Sequence, residues 1–586
     1  MKSGFVNYIV GLLIIALFSQ CSGDRVPNAS AVPSLSHKAN PADTFIYTLN
    51  PAESNLSGLK KETIREHISI LLDTLAPASY ISDDLNREDI HRELHEYYAL
   101  KNYDLVWSSL SSPLPESQLL LSHLLMVDSQ GLSVQDYDVS KLLNLQQSVF
   151  KDARNINLAQ LIMLDIRLSA TLISYAWHLQ NGRTSPTIRR ARWMNERSLA
   201  PVAAVLVNHK LTDAIDILTP KLNGYRSMIK ALELYRAIAY QGGWPALPEK
   251  LNVRLGEEHE AVPQLRKRLL MTQDLSAEEL VTCDSLFDFN VQNAVKRFQY
   301  RHGLTADGVV GKGTVEALNV PVETRIQQLI LNLERIRWMP ASFGDRHIFV
   351  NIPAYEMQVN EKDKPVLSMR VIVGKKKNAT PLFSENLKYV VFSPKWNVPK
   401  SIIYKEIVPK LQSGDSTFLK RNNYKLYTRD YDNDQPLNPK NVDWETTDGS
   451  NIRIVQEPGG GNALGRVKFL MPNDMNIYMH DTNASYLFSR DARALSHGCV
   501  RLESPDLLAE YLLKDQGWDL GKIRKKMYEG EPQWVSLSQE MPVYLSYITS
   551  WVDDKGLINF REDIYDIDME QLTMLKHNSS ALAGLF

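Results

Sequence analysis

His480–Arg501 reads HDTNASYLFSRDARALSHGCVR, and it holds the densest chemistry in the chain. Ser496-His497-Gly498-Cys499 reads as a reactive thiol set among polar groups. A cysteine attacks as thiolate, and a free thiol is mostly protonated near neutral pH, so a nearby base or cation is required. His480 supplies one candidate base: eighteen residues (481–498) suffice to loop back from it to Cys499. An imidazole that takes the thiol proton leaves an ion pair that lowers the thiol pKa. His497 shares a face with Cys499 in an extended chain, so it is expected to orient or support the site. Gly498 lets a substrate carbonyl come close to the backbone, and the N–H groups of Gly498 and Cys499 are candidate oxyanion donors. Arg501 presents a planar fork to a substrate carboxylate, or else pairs with Asp481 or Glu503. With 13 His, 28 Gly and 3 Cys in the chain, His-Gly-Cys arises by chance roughly 0.003 times.

Outward from this stretch, composition sets the limits. At 586 residues the chain is too long for one core. A net charge of −2 gives no global field toward nucleic acid, so no nucleic-acid partner is expected. The cysteines, at 21, 283 and 499, give neither a disulfide framework nor the ligand spacing of a zinc site. Cys283 reads as a small buried hydrophobe. Lys2 precedes an apolar run, Tyr8–Phe18, that is too short to span a bilayer and is laid out like a secretory signal over 1–20. Cys21 follows it as a candidate lipidated residue. Gln20 is larger than the small residue that a lipoprotein signal has there, so a plain signal peptide is the alternative. Either way the mature protein is exported, and the cell envelope, on the periplasmic side, is the expected location.

Residues 21–59 are rich in Ser, Pro, Ala and Asn and read as a flexible tether. Residues 60–250 show helical periodicity (Ile64, Ile68, Leu71; Leu158 to Leu179, closed by Gly182) and no catalytic constellation. Trp107, His123, Trp177 and His178 read as packing residues there. A compact three-helix unit follows over 255–322, with Asn290 as a helix N-cap. After an amphipathic helix from Arg325, alternating β-branched segments predict a mostly β domain over 325–545. Trp396–Pro399 reads as a rigid turn. Residues 403–454 are broken and polar but hold Tyr424, Tyr427 and Tyr431, as an inserted lid over a groove would. Residues 546–586 read as further strands and, after about 570, a loose tail. The fold class is multidomain α+β.

Two parts of this sequence resemble known families. The unit at 255–322, through Leu265-Arg266, Phe298-Gln299, Gly303-Leu304, Asp307–Gly311 and Thr314–Asn319, resembles a peptidoglycan-binding domain. His480, fifteen residues, then Ser496-His-Gly-Cys499-Val-Arg501 resembles the signature of the L,D-transpeptidase catalytic domain, also called the YkuD domain. Thr380-Pro381, Trp396–Pro399, Asn462–Gly465, Lys468-Phe469 and Asp481-Thr482 add to the match. Helical scaffold, binding unit and catalytic domain with an insertion resemble, in that order, the large YcbB-type murein L,D-transpeptidases over roughly 90–565.

The resemblance implies Cys499 as nucleophile and His480 as proton donor and acceptor, with His497 and Gly498 in support. It implies Ser496, Arg501, Trp396 and Asn462 at the substrate. It implies that Cys499 attacks the bond between an L-centred diamino acid at position three and D-Ala at position four of a peptidoglycan stem. D-Ala leaves, and a neighbouring stem's side-chain amine resolves the thioester into a 3→3 cross-link. It also implies that no metal or organic cofactor is needed, and that carbapenems acylate the enzyme. Water as acceptor gives an L,D-carboxypeptidase, and a protein lysine gives a wall-attachment enzyme. A non-catalytic wall-binding lipoprotein is the reading from another class. Stem peptides, a membrane reached through the lipid anchor, and a monomeric state complete the expectations.

Overall fold

The computed structural model describes residues 61–577 apart from 82–85, 153–154, 185–199, 223, 281–283, 416, 429–434 and 448. The expectations for the signal, the tether, Cys21, Cys283 and Tyr431 fall outside the described residues.

Apolar periodicity over 61–218 folds as helices around one core that includes Ile68, Leu94, Leu120, Leu124, Ile162 and Ile173. Its axis is the helix Leu158–Asn181, started by the Asn157 side chain accepting from Gln160 N and stopped at Gly182, φ +79°. This helix is apolar and long enough to cross a membrane, but 78% of that window is buried inside the protein. Its Asp165 carboxylate is buried and satisfied by Tyr98 Oη and the Val106 and Trp107 amides. Trp107 and His178 pack as expected, on Ser169 and Tyr137.

The next unit has the helices Val262–Met271, Phe289–Arg301 and Lys312–Leu318 over its own core. Its second helix is capped by Asp288, whose carboxylate accepts from Val291 N, and not by Asn290. Asn290 lies inside the first turn, where its amide donates to the Glu279 carbonyl. The helix Val322–Trp338 is not merely amphipathic. It packs against the helix Tyr225–Tyr240 on one side and the C-terminal segment on the other. Its polar residues are therefore buried and paired: Glu334 with Arg337 and the Arg183 and Thr184 amides, Asn332 with Thr549.

The strands that follow are β1 (Arg346–Asn351), β2 (Glu356–Glu361), β3 (Lys364–Gly374), β4 (Phe383–Phe392), β5 (Trp396–Asn397), β6 (Tyr424–Thr428), β7 (Ile452–Gln456), β8 (Val467–Leu470), β9 (Met479–His480), β10 (Ala494–Ser496), β11 (Val500–Leu502), β12 (Gln533–Ser546), β13 (Ser550–Val552) and β14 (Ile558–Phe560). Nine form one sheet in the order β10-β3-β11-β9-β8-β4-β12-β1-β2, and β2 pairs back onto β3, closing the order on itself. Val359, Val371, Phe469, Met479, Val500 and Val543 fill the interior.

Three expectations are corrected here. β12 crosses the 545/546 division and lies between β4 and β1, so the C-terminal part belongs to the central sheet. The segment after 570 is no loose tail: Ile567–His577 is a helix with Gln571 fully buried. Trp396-Asn397 is a short strand, paired with β7 in a separate sheet β5-β7-β6. That sheet and the helical run Lys400–Gln412 form the inserted unit, with its own core of Ile403, Ile407, Phe418, Leu426 and Ile454.

Candidate active site

Register places the site. β9 and β11 run parallel with Val500 opposite Met479 and Arg501 opposite His480. β8 pairs antiparallel with β9, Lys468 opposite His480. Side chains alternate along a strand. Met479, Val500 and Leu502 therefore enter the core, while Lys468, His480 and Arg501 form a row on the outer face. One step back, Cys499 lies across from Tyr478, whose carbonyl accepts from Val500 N (3.2 Å). The inserted unit overhangs this face, and between them is a cavity of about 880 Å³. Cys499, His480, Tyr478, Lys468 and Arg501 line one wall, and Trp396, Lys400, Glu406, Lys410, Phe418 and Tyr424 the other.

Cys499 is a free, partly exposed thiol. Burial pushes it above its ordinary value, against hydrogen bonding from Tyr478 and the charges of Lys468 and Arg501. His480 is 4% exposed. Its Nδ1 lies 2.5 Å from the Asp481 carbonyl, which puts the ring hydrogen on Nδ1 and leaves Nε2 as the basic nitrogen. Burial lowers this imidazole to about 3, with Arg501 and Lys468 pushing the same way and the Asp481 and Leu464 carbonyls opposing them. The resting site is thus a neutral thiol and a neutral imidazole, not the expected ion pair. The group facing the sulfur from the adjacent strand is Tyr478, whose phenol is raised first by burial and then by Cys499. Lys468 Nζ stands 3.8 Å over the Tyr478 ring.

The turn before Cys499 is held internally. Ser496 Oγ donates to the Cys499 carbonyl (2.7 Å) and accepts from Gly498 N (3.2 Å). Gly498 has φ +123°, a conformation that favours glycine. Ser496 therefore shapes the turn. The Gly498 N–H is already committed to Ser496, so of the two expected oxyanion donors the Cys499 amide is the better placed. The Gly498 carbonyl accepts from Thr380 Oγ1 (2.8 Å).

Other expected site residues fall in different places. His497 lines the cavity beside Cys499, but its Nε2 meets Glu406 Oε1 of the inserted unit at 2.9 Å. Arg501 pairs with neither Asp481 nor Glu503; Glu503 is taken by Arg370, and Asp481 by the Arg466 and Thr482 amides. Trp396 does line the cavity. Asn462 does not. It is buried, its amide donates to the Pro394, Gln456 and Glu457 carbonyls, and its oxygen accepts from Leu464 N. It ties the two sheets together instead of meeting substrate. Sequence reasoning missed Tyr478 and Lys468 as site residues. The signal for Tyr478 was its place two before His480, on the same face of a strand. No group of three or more His, Cys, Asp or Glu able to hold a metal occurs among the described residues.

Comparison with known proteins is consistent with this geometry. Residues 345–519 match the model of the L,D-transpeptidase catalytic domain, residues 92–232 a scaffold domain and residues 258–318 a "Putative peptidoglycan binding domain". A Haemophilus influenzae protein described as "Putative L,D-transpeptidase" is 36% identical over 247 residues, 42% of this chain and 48% of that protein. The chain thus spans about half the length of this curated relative. Solved L,D-transpeptidase structures from Stackebrandtia nassauensis and Xylanimonas cellulosilytica are each 14% identical. They cover 51% and 52% of this chain and 97% and 100% of their own, with TM-scores of 0.20 and 0.17, too low to bear on the fold. On the sequence matches, residues 345–519 form a YkuD-family L,D-transpeptidase catalytic domain, carried behind a scaffold domain and a peptidoglycan-binding domain.

Proposed function

We propose that this chain is a murein L,D-transpeptidase of the large YcbB type, joining stem peptides 3→3 through a Cys499 thioester. The supporting observation is a partly exposed thiol on the floor of a cavity walled by both the sheet and the inserted unit, an arrangement suited to a branched polymer. Cys499 Sγ attacks the carbonyl carbon of the diamino acid at position three. The thiol proton passes to Nε2 of His480, and the Cys499 amide supports the oxyanion. The C–N bond to D-Ala breaks, the proton returns to the leaving amine, and a thioester remains. A second stem's side-chain amine attacks this thioester and loses a proton to His480. The thiolate leaves, regains that proton, and the cross-link is complete.

His480 is neutral at rest and so free to accept the thiol proton, and the thiolate formed beside it offsets the Arg501 and Lys468 charges that oppose the imidazolium. The same reading takes Tyr8–Phe18 as the export signal, Cys21 as the lipid anchor and the periplasmic side of the envelope as the workplace. Incubating the purified chain with tetrapeptide muropeptides and reading the products by mass spectrometry tests it. Cross-linked dimers that vanish with Cys499→Ala are expected. Dimers that persist in that variant would overturn the mechanism, and D-Ala loss without dimers would show an L,D-carboxypeptidase.

A further inference from the structure

Charge in the cavity runs against the charge of the chain. The protein as a whole carries −2. The cavity lining nevertheless brings together Lys395, Lys400, Lys410, Lys468 and Arg501 against one carboxylate, Glu406. That carboxylate is engaged by His497, and Lys395 is offset by Glu457 at 3.5 Å. Lys468 and Arg501 face the reacting sulfur, and Arg501 Nε is buried with no hydrogen-bond partner among the described residues. Lys400 and Lys410 are left on the opposite wall. Lys410 stands 4.9 Å over the Phe418 ring, and neither lysine makes an ion pair with a carboxylate among the described residues.

We propose that this cavity selects acyl donors by their free carboxylates, and that Lys400 and Lys410 of the inserted unit hold those carboxylates. The proposal rests on the reading of function above and narrows its substrate: a peptide stem with unmodified acids, in preference to one whose acids are amidated. Two arguments support it. A concave site of one sign with low-dielectric walls concentrates opposite charge, and Trp396, Ile402 and Phe418 supply such walls. Lys400 and Lys410 also lie ten positions apart on one helical run, at most about 15 Å at the α-helical rise of 1.5 Å per residue, because Ile403–Ile407 is wound as a π-helix. That is the reach of about four extended residues. A neutral or cationic peptide would gain nothing from this wall and would meet repulsion from it.

The test uses the full chain and two donors, a tetrapeptide stem with the D-Glu α-carboxylate free and the same stem with it amidated. The free acid is expected to give a kcat/KM about tenfold higher, carried mainly by KM, with the gap narrowing as ionic strength rises. Lys400→Gln/Lys410→Gln should bring the ratio toward one, and Lys400→Arg/Lys410→Arg should restore it. Equal rates on the two donors, or a double variant that loses both in proportion, would overturn the proposal. If neither donor is turned over, the proposal fails together with the function beneath it. Alkylation of Cys499 then locates the failure. A rate ratio of iodoacetate to iodoacetamide above that of a free thiol, and lowered in the double variant, shows that the anion-selective wall is real and the function wrong. An ordinary ratio overturns the wall itself.

Discussion

His497 Nε2 and Glu406 Oε1 meet at 2.9 Å across 91 positions of sequence, joining the turn that carries Cys499 to the inserted unit. Both side chains are substantially exposed, 41% and 50%. An exposed pair of this kind contributes under about 1 kcal/mol. Glu406→Gln is therefore expected to leave the melting temperature almost unchanged. Its effect belongs in KM, since the contact sets how the insertion stands over the cavity. A steady-state KM within error of the wild type, with the donor in excess over enzyme, would show that the contact has no part in binding.

Tyr478 should act on the sulfur directly. Its hydroxyl faces Cys499 and favours the thiolate, opposing the burial that raises the thiol. A hydrogen bond to a charged group contributes about 1.5–3 kcal/mol. Tyr478→Phe is thus expected to slow iodoacetamide labelling of Cys499 by about tenfold or more at fixed pH and to move the labelling profile to higher pH by about one unit. An unmoved profile would mean that Tyr478 only packs.

How much of this could be read beforehand differs from residue to residue. Cys499 and His480 were legible because thiol chemistry demands a base and the eighteen residues between them suffice to bring one back to the other. The ion pair was not legible, because burial is a property of the assembled fold: His480 is enclosed only once β8 and β11 flank it. β12 in the middle of the sheet depends on pairings such as Met541 with Leu387, which no local pattern encodes. Asn462 failed for a related reason. A buried amide satisfying three backbone carbonyls looks, in sequence, the same as one that binds a ligand. Lys400 and Lys410 were hidden in a stretch whose broken polarity masked the small core behind it.

Buried and neutral, His480 makes stability depend on pH. Its folded value is about 3 against an ordinary 6.5. Below about 6.5 the unfolded chain takes up a proton that the native chain refuses until near 3, so this contribution is present at neutral pH and lost as pH falls through that window. The full difference is on the order of 5 kcal/mol. His480→Gln should therefore lose less stability than the wild type between pH 6.5 and 4, measured as urea midpoints. Parallel curves for the two proteins would show that His480 is not the group responsible. The same burial predicts that labelling of Cys499 keeps rising into the alkaline range with no inflection in the ordinary histidine range.

Thr380 and Tyr565 together brace the catalytic turn, and Tyr565 does so from beyond the matched catalytic segment 345–519. Thr380 Oγ1 donates to the Gly498 carbonyl at 2.8 Å and accepts from Gly374 N at 2.9 Å. Tyr565 Oη donates to the Gly374 carbonyl at 2.6 Å and accepts from Thr380 N at 3.3 Å. Tyr565 is fully buried, and its amide is held in turn by Tyr547 Oη. Removing one hydroxyl leaves a buried carbonyl unsatisfied, at about 1–3 kcal/mol. Tyr565→Phe and Thr380→Val should each lower stability by that amount. They should also lower kcat more than they raise KM, because the turn they hold sets the angle of Cys499 and not the walls of the cavity. Thr380→Ser, which keeps the hydroxyl, should recover most of kcat. If Thr380→Val matches the wild type in kcat while losing stability, the brace is structural alone and the Cys499 turn holds its shape through Ser496.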